Sequence, residues 1–254
     1  MIIRTPSGAK IHITSLGPIR VTYTAVLKLL PLLYDSPPRL PNSAEAEEII
    51  DPSEPMPPQE EFATPPESGY DLIFHVGAGR NGAATLEQIG HKSGYKSPDV
   101  AGEYAPVIGS GSDAKGDTAI SEAEKFERDR LGDTAKRTKD QIRGYGTGYE
   151  KFPEELKTEV DASFVVTQLK LWGEPRVKPS VDAGHYLCDF ICYGSLAESQ
   201  RPLFYDKKSD ASEKRPKSLF MHVPYDEGQP FMMDELVELV KQVVALVCTG
   251  EKAL

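Results

Sequence analysis

The sequence is poor in cysteine and has no long apolar run. Only three cysteines occur in 254 residues, and a small odd number in a chain of this length does not indicate a disulfide framework. No membrane-length apolar stretch is present, and the start of the chain lacks the apolar core of a secretory signal. These absences argue against a disulfide-stapled secreted domain, and they predict a cytoplasmic protein with reduced thiols.

Positive charge is also in short supply. Lysine and arginine number 29 against 39 aspartates and glutamates, which gives a formal net charge of −10. Nucleic acids and anionic membranes would repel such a chain, so neither is expected as a partner. Residues 36–68 carry eight acidic side chains against one basic, a balance of −7, together with nine prolines. This segment is predicted to be a disordered surface loop.

The rest of the sequence alternates strand-like with helix-like stretches. Strands are predicted at residues 10–17, 70–79, 174–182 and 217–224, and helices at 23–35, 152–164 and 232–250. A further short helix is predicted within residues 83–95, ending at Gly90 or Gly94. Pro31 is expected to kink or shorten the first helix, and Gly77 and Gly79 are expected to turn the chain sharply. The alternation predicts one α/β domain over residues 1–254, with helices on both faces of a sheet. Flexible insertions are expected at about 35–69 and 105–150.

The stretch KPSVDAGHYLCDFICYGSLAES, residues 178–199, contains two of the three cysteines. Asp182 or Ser180 could cap a helix that begins between residues 183 and 186, which would put Cys188 in its first turns. The positive end of a helix favours a thiolate there. Cys188 could equally be a small buried apolar residue. A metal site from His185, Cys188 and Cys192 would need at least one further ligand.

A nucleophilic thiol needs a base and a group that orients the base. His222 lies near the end of the strand at 217–224, and catalytic groups in α/β sheets gather at the carboxyl ends of strands. His75 is expected in mid-strand. Glu87 follows the glycine-rich turn after another strand. Spacing alone leaves these alternatives open.

Four motifs in this chain resemble those of the pyroglutamyl peptidase I family. DAGHYLCDFICYGSL is similar to the family's cysteine motif, SLFMHVP to its histidine strand and IFHVGAGRNGAATLEQIGHKSGYKSPD to its glutamate motif. GPIRVTYTAVLKLLPLLY is similar to the strand-to-helix segment that precedes them. The matches cover residues 10–34, 70–100 and 176–248, in the family's order.

The resemblance implies a three-layer α/β/α sandwich with a mixed central sheet. It implies that Cys188 is the nucleophile, His222 the general base and Glu87 the residue that orients His222. Backbone donors near Cys188 and at Gly77, Ala78 and Gly79 would bind substrate and oxyanion. The implied reaction is removal of an N-terminal pyroglutamate (5-oxoproline) from peptides, without a cofactor or a metal.

The chain departs from the family's pattern at two places. Residue 1 falls just before the pattern's second strand, so the first strand and its aromatic Thr-Gly-Phe-Gly-Pro-Phe loop are expected to be missing from this sequence. Val100 replaces the asparagine of the family's Asp-Asn pair. These departures leave an alternative function, an inactive relative that acts as a binding or interaction protein.

Overall fold

The computed structural model describes residues 1–53, 64–110, 141–205, 215–224 and 230–254. Much of the two expected insertions, at 35–69 and 105–150, therefore lies outside the described residues. In chain order the elements are β1 (Ile2–Arg4), β2 (Lys10–His12), α1 (Tyr23–Tyr34), α2 (Ser43–Ile49), β3 (Leu72–Gly79), β4 (Ala84–Glu87), β5 (Ile89–His91), β6 (Val107–Ser110), β7 (Gln141–Arg143), β8 (Glu155–Lys157), α3 (Ala162–Leu171), β9 (Val177–Ser180), α4 (Leu187–Tyr205), β10 (Lys217–Pro224) and α5 (Met233–Thr249).

The central sheet has four strands in the order β3-β10-β4-β9. β10 runs parallel to β3 and antiparallel to β4, and β4 runs parallel to β9. The sheet is therefore mixed, as predicted. β1 and β2 pair with each other in a separate two-stranded sheet.

Helices cover both faces of this sheet. The buried side chains of β10 alternate: Phe220 packs in a cluster with α1 and α4, whereas Leu219 and Met221 pack with α3 and α5. This alternation is what a strand with two buried faces requires. The prediction of an α/β sheet between two helical layers is confirmed. None of the described helices is both long and apolar enough to cross a membrane.

Two predicted helices are wrong at their boundaries or in type. Residues 83–95 form β4 and β5 instead of a helix, because β4 is held between β10 and β9 in the central sheet. In the stretch 152–164, residues 155–157 form β8, which pairs with β5. The helix begins only at residue 162, where the side chain of Asp161 accepts a hydrogen bond from the backbone N–H of Phe164.

The acidic, proline-rich segment, expected to be disordered, contains the helix α2. Asn42 and Glu45 form a reciprocal capping box at the start of α2. Ile49 and Ile50 at its end are buried against Leu29 and Leu32 of α1. The prediction that this segment is disordered is therefore wrong for α2, while residues 54–63 lie outside the described residues.

The later part of the second expected insertion belongs to the core. Tyr145 is buried, stacks on Phe190 at a ring distance of 4.1 Å and donates a hydrogen bond to its carbonyl oxygen at 2.7 Å. The prediction of flexibility is therefore wrong at the end of that insertion, and residues 111–140 lie outside the described residues. The expected end of the last helix is confirmed, since α5 ends at Gly250 in the left-handed conformation (φ 76°). The expectation that Pro31 shortens the first helix is wrong, because α1 continues through it to Tyr34.

Candidate active site

One face of the central sheet brings together residues from three neighbouring strands. On β10, Phe220 lies opposite Glu87 of β4, and His222 lies opposite Thr85. On the other side, His222 is paired with Gly77 of β3. Residues directly opposite each other across a sheet project to the same face. Glu87 and His222 therefore reach the α4 side of the sheet together, although 135 positions separate them in sequence.

Cys188 approaches this face from the first turn of α4. A Cβ atom at position 77 would lie 3.4 Å from its Sγ, so the sulfur rests directly over the glycine of β3. The helix begins at Leu187, later than predicted. Asp182 and Ser180 do not cap it: their side chains accept hydrogen bonds from the backbone of Gly184 and Asp182 in the preceding turn.

Gly77 and Gly79 serve close packing instead of turning the chain. Both lie within β3, in register with β10 to the end of the strand, so the predicted sharp turn at these positions is wrong. A Cβ at position 79 would lie 2.7 Å from Cβ of His222, and one at position 77 would lie 2.7 Å from the ring of Phe220. Only glycine leaves room for these side chains. Ala78 is on the opposite face of the strand, so only its backbone is available to this site.

Glu87 holds the imidazole of His222 at its Nδ1 atom. Nδ1 of His222 lies 2.8 Å from Oε1 of Glu87, which also accepts a hydrogen bond from Oγ1 of Thr85 at 2.6 Å. Glu87 is 1% exposed, and its Oε2 has no hydrogen-bond partner among the described residues. A buried carboxylate oxygen without a partner costs stability, so this arrangement is typical of a functional site rather than a structural ion pair. Local sequence does not single out Thr85, because residues 83–95 have helical preference and only the pairing of β4 in the sheet places Thr85 beside Glu87.

The surroundings of His222 favour its protonated form. Burial alone would lower its pKa, but the hydrogen bond with Cys188 and the charges of Cys188 and Glu87 outweigh burial and raise the pKa from 6.5 to about 10. Because Nδ1 is bound to Glu87, Nε2 is the nitrogen available to Cys188. The backbone N–H groups at the start of α4, including that of Cys188, have no acceptor within the helix and can stabilise a nearby negative charge.

We expect replacement of Cys188 by serine to lower the pKa of His222, because Cys188 makes the largest of the contributions that raise it. The pH titration of the His222 ring signals by NMR measures this shift. Cys192→Ala, one helical turn away, is the control and should leave the titration unchanged. An unchanged pKa in Cys188→Ser would show that the two side chains do not interact.

The same shift predicts how stability depends on pH. A histidine whose pKa is higher in the folded protein stabilises the fold fully below its unfolded value of about 6.5. That contribution is lost as the pH rises through about 10. Urea unfolding of the wild type should therefore show a falling free energy of unfolding between these values, and the fall should be smaller in His222→Asn.

The remaining cysteines and His75 belong to the packing of the fold. Cys192 is 2% exposed, and Cys248 on α5 is half-buried. His75 lies in mid-strand, as predicted, where burial lowers its pKa to about 4, and its Nε2 lies 2.7 Å from Oγ of Ser195. These residues are separate from the Cys188–His222–Glu87 group.

A second group of polar side chains lies beside the start of α4. Ligand atoms of His91, His185 and Asp189 all lie within 4.8 Å of one another, whereas the trio His185, Cys188 and Cys192 considered from the sequence does not form such a group among the described residues. The rings of His91 and His185 are stacked at 4.5 Å. Asp189 is fully buried and accepts hydrogen bonds from the backbone N–H of His91 at 3.2 Å and from Tyr95 Oη at 3.2 Å. These hydrogen bonds explain why the Asp189 carboxylate can be buried between α4 and β5 without a metal ion.

Comparison with known proteins finds pyroglutamyl peptidases that are similar to this chain. No family model matches the chain. Pyroglutamyl-peptidase 1 from mouse and from human are each 26% identical to it over 175 residues, which is 68% of this chain and 58% of the relative. The chain thus spans somewhat more than half the length of the curated relatives that it matches.

Solved structures of a pyrrolidone carboxyl peptidase and of a pyroglutamyl peptidase are also similar to this chain. A mutant pyrrolidone carboxyl peptidase from Pyrococcus furiosus has a TM-score of 0.45 and 18% identity, covering 70% of this chain and 68% of that one. Pyroglutamyl peptidase I from Bacillus amyloliquefaciens has a TM-score of 0.45 and 18% identity, covering 71% and 68%.

Proposed function

We propose that this chain, a relative of the pyroglutamyl peptidase I family, is a cysteine exopeptidase that removes N-terminal pyroglutamate from peptides. The observation that supports the proposal most is the meeting of Cys188, His222 and Glu87, which come from α4, β10 and β4. A thiol, a base and a carboxylate that orients the base are the groups that nucleophilic acyl transfer needs. The proposed location is the cytoplasm, where a reducing environment keeps the thiol free.

Acylation starts from the thiolate of Cys188 and the imidazolium of His222. The sulfur attacks the carbonyl carbon that follows the lactam ring, and the carbonyl oxygen becomes an oxyanion. Backbone N–H groups at the start of α4 stabilise this oxyanion. When the carbon–nitrogen bond breaks, the departing amine takes the proton from Nε2 of His222. The products are a thioester on Cys188, a neutral imidazole and the shortened peptide.

Deacylation restores the starting state. Neutral His222 removes a proton from a water molecule that attacks the thioester carbonyl. The carbon–sulfur bond then breaks, pyroglutamate is released and Cys188 leaves as the thiolate beside the imidazolium. Throughout the cycle Glu87 holds Nδ1 of His222, so that Nε2 stays directed at the sulfur and the substrate.

The pyroglutamyl residue would bind beside Cys188, along the edge strand of the described sheet. β3 pairs with β10 on one side only among the described strands. Backbone N–H and C=O groups of successive residues point to alternate edges of a strand, so the other edge leaves those of Ala78, or of Gly77 and Gly79, available for a lactam, which needs one donor and one acceptor. No cofactor takes part in this scheme.

The proposal is tested by the hydrolysis of a pyroglutamyl fluorogenic amide under reducing conditions at neutral pH. The corresponding prolyl amide, in which CH2 replaces the lactam carbonyl and the ring nitrogen becomes a protonated amine, is the control substrate. We expect release of the fluorophore from the pyroglutamyl amide alone. Equal hydrolysis of both amides would contradict the assigned substrate, and a folded chain that binds pyroglutamyl peptides without cleaving them would favour a binding protein.

A further inference from the structure

A cavity of about 240 Å³ opens on the side of His222 that faces β4 and β9. The ionisable residues that line it are Arg80, Glu87, Lys178, Asp182 and His222. Cys188 is absent from this wall and lies over β3 instead. His222 lines the cavity, so a peptide whose amine takes the proton of this imidazole would lie beside it.

Lys178 reaches this cavity by strand register. Lys178 of β9 is paired with Thr85 of β4, and Thr85 is paired with His222 of β10. The three residues form one row across the sheet and project to the same face. With strands about 4.8 Å apart, the Cα atoms of Lys178 and His222 are about 10 Å apart. A lysine side chain spans much of that distance, so its ammonium can meet the first residues of the leaving peptide.

The cavity carries one unbalanced positive charge, which suits a negatively charged ligand better than a neutral one. The charge of Glu87 is met by His222. Asp182 can offset one of the two cations, Arg80 and Lys178, which leaves one positive charge. Neither cation has an ion-pair partner in the part of the chain that the structure describes. The lactam ring is neutral, so a positive wall is suited to the other half of the substrate.

Resting on the proposed function, we infer that this cavity binds a carboxylate of the leaving peptide through Lys178 and Arg80. The carboxylate is either an acidic side chain in the residue after pyroglutamate or the C-terminus of a pyroglutamyl dipeptide. Both cations are exposed, and an exposed ion pair changes an equilibrium by no more than about fivefold. The expected preference over a neutral substrate is therefore about threefold in kcat/KM.

Three peptides separate the possible sources of the carboxylate. Pyroglutamyl-glutamic acid amide carries it on the side chain, pyroglutamyl-glutamine carries it at the C-terminus, and pyroglutamyl-glutamine amide carries none. We expect one of the first two, or both, to be cleaved about threefold more efficiently than the third. The preference should disappear in the double variant Lys178→Gln, Arg80→Gln and at an ionic strength of about 1 M, where screening acts within about 3 Å.

Lys170→Gln is the matched control, since Lys170 is an exposed lysine at the end of α3, outside this cavity. It should keep the preference. Equal cleavage of all three peptides by the wild type, or a preference that survives in the double variant, would overturn the inference while leaving the proposed function intact. If no peptide is cleaved, the proposed function fails, and binding of the same peptides measured by calorimetry decides the inference: equal affinities would overturn it.

Discussion

Replacing Cys188 with alanine is expected to reduce kcat/KM for a pyroglutamyl amide by at least about 1000-fold, because the alanine side chain cannot form the thioester. The affinity for a pyroglutamyl peptide should change much less, since the backbone groups of β3 and α4 remain. Steady-state kinetics and equilibrium binding measure the two effects separately. The free energy of unfolding at neutral pH should also fall, because Cys188 makes the largest of the contributions that raise the pKa of His222.

Cys192→Ala is the matched control for that variant. It removes the same atom from the same helix, one turn further on, at a position that is buried in the core. We expect a modest loss of stability with the turnover of the folded protein retained. If the two variants lost activity equally, or if Cys188→Ala kept wild-type turnover, Cys188 would not be the nucleophile.

Replacing Gly79 with alanine is expected to have the second largest effect. The added Cβ would lie 2.7 Å from Cβ of His222 and 3.0 Å from its Cγ. Either His222 or the backbone of β3 must shift, and a displacement of about 1 Å in a catalytic group can reduce turnover about 100-fold. Overpacking should also lower the free energy of unfolding by about 1–3 kcal/mol. Kinetics on the folded fraction and urea unfolding measure the two losses.

Gly109→Ala provides the comparison for a strand glycine away from the site. A Cβ at position 109 of β6 would meet only the side chain of Ile142, at 3.6 Å, which is an ordinary contact. Activity should be retained in this variant. Full activity in Gly79→Ala would mean that His222 does not need the position it has in the structure.

The sequence predicted the layers of the fold because those elements have strong local signals. The apolar stripe of α5 and its terminal Gly250 indicated a helix and its end, and the structure has both. The runs that became β3 and β10 were rich in β-branched and aromatic residues, as buried strands are. In each of these elements local preference and tertiary packing agree.

The predictions from sequence are wrong where pairing between strands overrides the preference of a short stretch for a helix or a turn. Residues 83–95 contain Leu86, Glu87 and Gln88, which favour a helix, yet β4 fills the gap between β10 and β9. Gly77 and Gly79 were interpreted as a turn because nothing in the local sequence shows that Phe220 and His222 pack against them. The close packing at these two glycines involves residues more than 140 positions away in the chain.

In the candidate site, too, some features could be predicted from the sequence and others depend on how the strands pair. The resemblance of four motifs singled out Cys188, His222 and Glu87, and the structure brings these three side chains together. The strand that carries Glu87, the contribution of Thr85 and the charged cavity beside His222 depend on register between strands. A one-residue slip in that register would turn each of these side chains to the other face of the sheet.

Labelling with a pyroglutamyl chloromethyl ketone, followed by mass spectrometry of the digested protein, tests the central claim most directly. The reagent combines the proposed substrate residue with a group that alkylates a nucleophilic thiol. We expect one adduct per chain, located on Cys188, with loss of activity in proportion to labelling and protection by a pyroglutamyl peptide. An adduct on Cys192 or Cys248 instead, or labelling of Cys188 that pyroglutamyl peptides do not slow, would contradict the account.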